Sequence, residues 1–353
     1  MKAIARIALA PGMILGEDVL TSSGEKLYSQ GFKIDTKAIE RIARHNIMVV
    51  TVMEDIDFAT THTERVRLSE PFKKFKALYY ECVPQFREII DNMIFNKTKP
   101  QMEKLMAIYV KLASNAKTGE TLLDYLVNTP PDVDNMLYEH MLNAGLIASV
   151  FASWVNMNKQ DTFMLIQCSF LYDIGKFLLP LDLLYKPSKL TDIEFETIKT
   201  HTLLGHDLLV ECGLAGPISR CALMHHERVD GSGYPSKLKA EKIDSYAQYI
   251  SIIDSYEAMS VPKTYRHPLN PFEIIANFEK DGYVKFDKLK LQSVLFHIAS
   301  SQTGRIAQLS DGREGEILLP NTIAVSRPII KGKNNVIIDL SKEPNDVTIK
   351  AIY

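Results

Sequence analysis

Residues 225–235, with the sequence HHERVDGSGYP, constrain the fold of this chain more than any other stretch. Gly231, Gly233 and Pro235 stand close together there, and they predict a tight turn, because glycine tolerates positive φ and proline ends a helix. The two adjacent imidazoles that precede the turn are therefore predicted to lie at a helix end that leads into a stiff loop. A capped helix followed by an ordinary turn is the alternative, but it gives the pair of histidines no packing role.

The rest of the 353-residue chain is predicted to be mainly α, with a small unit on either side of the helices. Residues 1–58 predict a small α/β unit of unknown role, and residues 59–131 a polar linker followed by a helical hairpin. Residues 132–302 have helical periodicity, in segments at 132–158, 161–172, 191–212, 215–226, 243–260, 271–281 and 287–300. Residues 303–353 predict a β-rich tail, with strands at 305–309, 315–319, 322–325 and 336–340.

Composition excludes several classes of partner and compartment. The formal net charge is −2, which does not favour a nucleic-acid or membrane partner. No signal peptide or apolar run of transmembrane length is present in the sequence, so a cytoplasmic protein is expected. The four cysteines form neither a CxxC pair nor a regular framework, and they are predicted to be reduced core thiols: Cys82, Cys168, Cys212 and Cys221.

Side chains that can bind a metal recur through the helical region. A lone helical histidine is more often a hydrogen-bonded core residue than a ligand, but a buried aspartate costs several kcal/mol unless a cation compensates it. Mixed His and Asp ligation from several helices suits iron or manganese, and it allows two ions to share one carboxylate and to cleave a phosphodiester. The candidate ligands are His140, Asp173, His201, His225, His226 and Asp254.

The order and spacing of these residues resemble the HD-GYP family of the HD phosphohydrolase superfamily. The similarity covers about residues 132–300, through HHERVDGSGYP at 225–235, DIGK at 173–176 and DSYEAMS at 254–260. It implies a helical-bundle domain that binds divalent metals and hydrolyses cyclic di-GMP in bacterial second-messenger signalling. The resemblance also implies the substrate, which is cyclic di-GMP, and its product, which is linear pGpG, GMP or both. Diguanylate cyclase (GGDEF) domains are candidate partners on the same ground.

Roles for single residues also follow from the resemblance. It assigns the six candidate ligands to a pair of ions, with Asp173 as the bridging and catalytic carboxylate. Lys176 matches a catalytic lysine that contacts the scissile phosphate, and a solvated helix lysine is the alternative. Gly231, Tyr234 and Lys263 match substrate-binding positions, although Lys263 replaces an arginine and loses its bidentate fork. For Tyr234, a packing role in the turn is the alternative.

Two positions depart from the family pattern. Tyr172 stands where the family has the histidine of its HD pair, and a neutral phenol, with a pKa of about 10, is a poor ligand for divalent ions. The expected result is one lost ligand, although a phenolate can bind ferric iron. Two divalent ions, iron or manganese, stay the expected cofactors, and a reduction to one ion is the alternative. Met136 stands where family members with three metals carry glutamate, so a third ion is not expected.

Two functions from different classes remain open at this stage. The first is a metal-dependent phosphodiesterase that hydrolyses cyclic di-GMP, and the second is a degenerate, non-catalytic receptor or interaction module. Tyr172 separates them, because the other candidate ligands and Lys176 are present. Hydrolysis of another nucleotide is a third possibility. A homodimer and the signal sensed by residues 1–58 are left open.

Overall fold

A computed structural model describes residues 2–6, 9–53, 61–184, 186, 189–262 and 268–353. Contacts divide the chain into two compact units, residues 1–68 and residues 69–353. The finer division predicted at residues 131 and 302 stays a prediction. Among the helices described, none combines the length and the apolar character needed to cross a membrane.

The first unit is a small α/β structure, as predicted. Its core contains Leu15, Ile34 and Ile42, which are buried. Strands β1 and β4 pair antiparallel, as do β2 and β3. Its elements are β1 (Lys2–Ala5), β2 (Val19–Leu20), β3 (Lys26–Tyr28), α1 (Thr36–Arg44), β4 (Val49–Val52) and α2 (His62–Leu68).

Helix α2 corrects the prediction that residues 59–69 form a polar linker, of which residues 59 and 60 lie outside the described residues. Thr61 Oγ1 accepts from the Glu64 amide at 3.1 Å, and Glu64 Oε2 accepts from the Thr61 amide at 3.1 Å. These two bonds form a capping box, which satisfies amides that a helix start otherwise leaves without partners. The polar residues therefore begin a helix.

The second unit is a helical bundle with a sheet at its carboxyl end, which confirms the predicted fold class. The hairpin helices α3 and α4 are followed by the bundle helices. Its helices are α3 (Glu70–Asn96), α4 (Met102–Ala113), α5 (Gly119–Asn128), α6 (Met136–Trp154), α7 (Lys159–Leu171), α8 (Leu181–Leu184), α9 (Asp192–Lys199), α10 (His201–Glu211), α11 (Pro217–Met224), α12 (Ser245–Ser260), α13 (Pro271–Lys285) and α14 (Lys288–Ser300).

Helix α6 is the centre of this bundle. It is buried on nearly all sides, as is typical of a helix that neighbours surround. It crosses α7 closely at Gly145, where an added Cβ would lie 2.1 Å from the Phe170 ring. The Tyr79 hydroxyl of α3 donates to Asn143 Oδ1 of α6 at 2.8 Å, in the interior. Helix α6 is thus a fixed frame for the polar residues that it carries.

The predicted helix at 191–212 is two helices, with a break at Thr200. The Thr200 hydroxyl donates to the Thr197 carbonyl at 2.6 Å, and His201 Nδ1 lies 2.6 Å from the Ile198 carbonyl. These side chains take carbonyls that a continuous helix would bond to later amides. As a result, His201 lies at the start of α10.

The carboxyl-terminal strands form one antiparallel sheet in the order β8-β7-β6-β5-β9. The prediction of a strand at 322–325 is wrong: Asn321 Oδ1 accepts from the Ile323 amide at 2.9 Å, and Glu279 Oε1 accepts from the Val325 amide at 2.6 Å, so these amides are not free for a ladder. The strands are β5 (Ile306–Leu309), β6 (Glu314–Leu319), β7 (Ile329–Gly332), β8 (Ile337–Asp339) and β9 (Ile349–Ile352).

Candidate metal centre

The six residues predicted to bind metal come together inside the helical bundle. Their ligand atoms form two groups, each with all atoms within 4.8 Å of one another, and Asp173 belongs to both. Helices α6, α10 and α12 contribute side chains directly, and the remaining ligands follow the ends of α7 and α11. The first group is Asp173, His201, His225 and His226, and the second is His140, Asp173 and Asp254.

In the first group, backbone carbonyls orient two imidazoles toward Asp173. His201 Nδ1 lies 2.6 Å from the Ile198 carbonyl, and His225 Nδ1 lies 2.9 Å from the Ala222 carbonyl. Each Nδ1 therefore carries the proton and donates it, which leaves the lone pair on Nε2. The two Nε2 atoms are 3.2 Å apart, and each is 3.4 Å from Asp173 Oδ1.

This convergence of lone pairs fits a cation. Asp173 Oδ1 is buried and makes no hydrogen bond with any other described residue. Burial lowers the pKa of His201 to about 4, and burial together with His225 lowers the pKa of His226 well below its usual value. Neutral imidazoles and a carboxylate oxygen in one place repel each other unless a positive ion lies among them. Two further carboxylates, those of Asp254 and Glu257, lie against His140 of the second group.

In the second group, a carboxylate outside the predicted set holds His140. Glu257 Oε2 lies 2.7 Å from His140 Nδ1, while His140 Nε2 is 3.0 Å from Asp173 Oδ2 and 3.4 Å from Asp254 Oδ1. Burial alone would lower the pKa of His140, but Glu257, Asp173 and Asp254 outweigh it and raise that pKa to about 10. A divalent ion would offset the same negative charges, so this set of donors also fits a metal.

Tyr172 occupies the interior of the second group. Its hydroxyl lies 2.7 Å from His140 Nε2 and donates to Asp254 Oδ1 at 3.1 Å. Burial, followed by the charges of Asp254 and Asp173, raises the pKa of Tyr172 well above its ordinary value. The side chain is therefore a neutral phenol that bonds to two of the candidate ligands.

Lys176 lies beside the shared carboxylate. Its Nζ donates to Asp173 Oδ2 at 2.6 Å, and 22% of the side chain is exposed. Burial would lower its pKa, but Asp173 and Asp254 raise it, so the ammonium keeps its proton. The turn that carries Lys176 presses against α10, since a Cβ on Gly175 would lie 2.0 Å from the His201 carbonyl oxygen. The position of the lysine relative to both groups is thus set by backbone packing.

The loop after His226 forms one rim of the centre. The Tyr234 ring stacks on the His226 ring, with centroids 4.7 Å apart and 26° between the planes. Glu227 holds the loop, because its carboxylate accepts from the Ser236 amide at 2.7 Å and from the Leu238 amide at 2.9 Å. Gly231 has φ of 84°, which favours glycine. Lys263 lies outside the described residues.

Sequence reasoning missed the residues that support the ligands. Glu257 and Asp254 are three positions apart on α12, a spacing that places them on one face of the helix, and this signal was available. Arg228 Nη1 donates to the His225 carbonyl at 3.2 Å and the Glu227 carbonyl at 2.9 Å, which ties the helix end to the loop. No spacing rule predicts that contact. The four cysteines are free and buried, as predicted.

The sequence of this chain is similar to those of several known proteins. A family model described as HD domain matches residues 120–288. The chain is 25% identical over 316 residues to a cyclic di-GMP phosphodiesterase of Borreliella burgdorferi, which covers 88% of this chain and 83% of that protein. It is 32% identical over 163 residues to a cyclic di-GMP phosphodiesterase of Pseudomonas aeruginosa, which covers 46% and 39%. A 3'3'-cGAMP-specific phosphodiesterase of Vibrio cholerae is 25% identical over 148 residues, which covers 42% and 32%.

Proposed function

We propose that this protein is a metal-dependent phosphodiesterase that hydrolyses cyclic di-GMP to linear pGpG, GMP or both. The match of residues 120–288 to the family model described as HD domain supports the proposal. Two relatives that bear this activity in their names support the choice of substrate. The cytoplasmic location, a homodimer and GGDEF partners stay predictions.

A single observation carries the proposal: Asp173 is shared by two groups of candidate ligands, and its Oδ1 is buried without a hydrogen bond to any other described residue. A carboxylate in that position can bridge two ions, with each oxygen facing one group. A structural hydrogen-bonding role would instead leave both oxygens satisfied, since buried polar atoms normally have partners.

Each of the two groups would hold one metal ion. One ion would be held by Asp173, His201, His225 and His226, and a second by His140, Asp173 and Asp254. The mixed nitrogen and oxygen donors suit iron or manganese. Bound ions of this kind lower the pKa of water and stabilise the charge that develops in phosphodiester cleavage.

The chain's own residues would bind and orient the substrate. Lys176 offers a partly exposed ammonium beside Asp173, where it can donate to a phosphate oxygen. The loop with Gly231 and Tyr234 borders the centre and restricts where the nucleotide lies. Hydrolysis adds a water oxygen to phosphorus and breaks the bond to O3′, which leaves with a proton. The product of the first step is then a linear dinucleotide.

A second function is favoured by one specific contact. The Tyr172 hydroxyl bonds to both His140 and Asp254 inside the second group, where a second ion would otherwise be held. A protein with one ion, or with none in this group, would bind cyclic di-GMP as a receptor and would not hydrolyse it. The first group does not include Tyr172, so the receptor would still bind metal.

One experiment separates the two functions. The wild type and Tyr172→His are purified anaerobically and loaded with iron or manganese. Bound metal is counted by mass spectrometry, and cyclic di-GMP turnover is followed by chromatography, with 3'3'-cGAMP as a competing substrate. Turnover by the wild type supports the enzyme. Bound metal and nucleotide without turnover, together with activity gained in Tyr172→His, would establish the receptor instead.

A further inference from the structure

Lys199, the last residue of α9, holds its ammonium over two aromatic rings. Nζ lies 4.7 Å from the Phe195 ring centroid and 5.4 Å from the Tyr234 ring centroid. It also forms an ion pair with Glu196, at 2.6 Å from Oε1. Cation–π contacts of this kind fix the place of a charge without neutralising it. The lysine is therefore held against the loop that carries Tyr234.

This cation lies beside the loop that borders the candidate metal centre. The Tyr234 ring stacks on His226 and also lies below the Lys199 ammonium, so one ring joins the lysine to a candidate ligand. Phe195 is 45% exposed, and the Lys199 side chain is 25% exposed, so solvent reaches the ammonium. An anion that approaches the Tyr234 ring from solvent can therefore contact Lys199.

The charge of Lys199 is available to such an anion. Its partner Glu196 has a side chain that is 70% exposed, and ion pairs in water contribute only about 0–1 kcal/mol. A phosphate can therefore compete with this carboxylate. Lys176 differs, because one of its three N–H donors bonds to Asp173, whose side chain is fully buried, and only the others can reach a phosphate at the ligands. The two lysines thus suit two different anionic groups.

We propose that Lys199 binds the second phosphate of a cyclic dinucleotide, the one that is not being hydrolysed. This inference rests on the proposed substrate, because a cyclic dinucleotide carries two phosphodiesters joined in one ring. While one lies at the ligands and Lys176, the other needs a cation at the rim. Lysine serves as a point charge for phosphate, and Tyr234 and Phe195 keep that charge in place.

A purely structural role for Lys199 makes a different prediction. A lysine in the last turn of a helix stabilises it through the helix dipole and through an i,i+3 pair. Lys73 and Glu70 form the same kind of pair on α3, with 2.7 Å between Nζ and Oε1. If Lys199 is structural, its loss should lower the melting temperature and leave nucleotide affinity unchanged. Lys73→Met is the matched control.

The test compares Lys199→Met, Lys199→Arg and Lys73→Met in the full-length, manganese-loaded protein. The Kd for cyclic di-GMP is measured by calorimetry at two salt concentrations, and KM and kcat are measured where turnover occurs. For Lys199→Met we expect Kd and KM to rise about tenfold, kcat to change by less than about threefold and the salt dependence to weaken. Lys199→Arg should restore Kd, and Lys73→Met should leave it unchanged. Hydrolysis of bis(p-nitrophenyl) phosphate, which has one phosphate, should not respond to Lys199→Met.

Each outcome decides the inference. A Kd for Lys199→Met equal to that of the wild type overturns the role of Lys199 and leaves the proposed function standing. If the wild type binds no cyclic di-GMP, both are overturned. If the wild type binds without turnover, the proposed catalysis fails, but the Kd values still decide the role of Lys199. Should Lys199→Met fold poorly, Glu196→Gln replaces it: removal of the competing carboxylate should tighten binding about threefold, and no change would count against the inference.

Discussion

The Tyr172 hydroxyl connects His140 and Asp254 in the interior of the bundle. This hydroxyl has opposite effects on the metal-free and the metal-bound protein. Without metal it satisfies buried polar atoms and stabilises the fold. With metal it competes for the same atoms. A single phenol thereby links the stability of the bundle to the metal content of the second group.

Tyr172→Phe tests this link. Removing the hydroxyl takes a donor from Asp254, whose side chain is 14% exposed, so the metal-free protein should lose about 1–3 kcal/mol of unfolding free energy. Added manganese should recover much of that loss, because the ion takes over Asp254 and His140. Urea denaturation with a chelator and with manganese measures both values. Tyr79→Phe is the control, since its hydroxyl also makes a buried bond, to Asn143, which is not a candidate ligand. Equal losses with and without manganese in Tyr172→Phe would contradict the link.

Glu257 orients His140 through the bond between Oε2 and Nδ1 at 2.7 Å. Carboxylates behind a ligating imidazole fix its ring and its tautomer, and their loss lowers metal affinity about 10–100-fold. Glu257→Ala should show a loss of that size in the second group, measured by chelator competition. Glu257→Gln keeps an oxygen acceptor and should lose less. If the two variants lose the same metal affinity, Glu257 acts through its charge and not by orienting His140.

The candidate ligands were predictable from the sequence, but their environment was not. Six His and Asp residues stand in recognisable local patterns, and those patterns depend on chain spacing alone. The bonds of Tyr172 depend on how α6, α7 and α12 pack, which no local pattern specifies. For the same reason Glu257 appeared only as part of a motif, although its spacing from Asp254 places both on one face of α12.

At the scale of elements, close backbone packing positions the centre. Gly175 begins a turn that contacts α10 so closely that a Cβ would lie 2.0 Å from the His201 carbonyl oxygen and 2.5 Å from the Gly205 nitrogen. The turn carries Lys176, and α10 carries His201. Any separation of the two elements would therefore move a candidate ligand away from Lys176, the proposed phosphate-binding lysine.

Gly175→Ala should separate the turn that carries Lys176 from α10. The added Cβ meets backbone atoms that cannot move independently, so we expect a loss of more than about 3 kcal/mol in unfolding free energy and a fall in bound metal. Thermal unfolding and metal analysis measure the two effects. Gly282→Ala in α13 is the control, because its Cβ would lie 3.0 Å from Leu291 Cδ2, the end of a flexible side chain. That change should stay within about 1 kcal/mol. Normal metal content in Gly175→Ala would show that this contact does not position the ligands.

Element boundaries were predictable where the helical periodicity extended over many residues. The predictions were wrong where side chains form hydrogen bonds with backbone groups. The long helix α3 follows regular apolar spacing. Helices α6 and α12 lie within the predicted segments 132–158 and 243–260. In contrast, the break at Thr200 and the missing strand at 322–325 both arise from side-chain bonds to the backbone. The capping box at Thr61 and Glu64 was present in the sequence as a T-x-x-E pattern, yet the polar composition of the segment suggested a linker.

At the scale of the molecule, the candidate centre belongs wholly to the second unit. Every candidate ligand lies between His140 and Asp254, within residues 69–353. The sheet belongs to this unit too: Asn270 Nδ2 donates to the Ile349 carbonyl at 3.2 Å, and Arg305 pairs with Asp124 at 3.1 Å. The first unit has its own core around Leu15, Ile34 and Ile42. Each unit therefore has a core of its own.

A chain that begins at Ser69 should consequently fold and bind metal by itself. Ser69 caps α3, since its Oγ accepts from the Phe72 amide at 3.3 Å, so this start keeps the first helix intact. We expect the fragment 69–353 to bind the same number of manganese ions as the full chain, with a melting temperature within about 4 °C. A second fragment that ends at residue 302 removes the sheet and its bonds to Asn270 and Asp124, and it should unfold at a clearly lower temperature. Loss of metal from 69–353 itself would mean that the first unit supports the centre, because no candidate ligand has been removed.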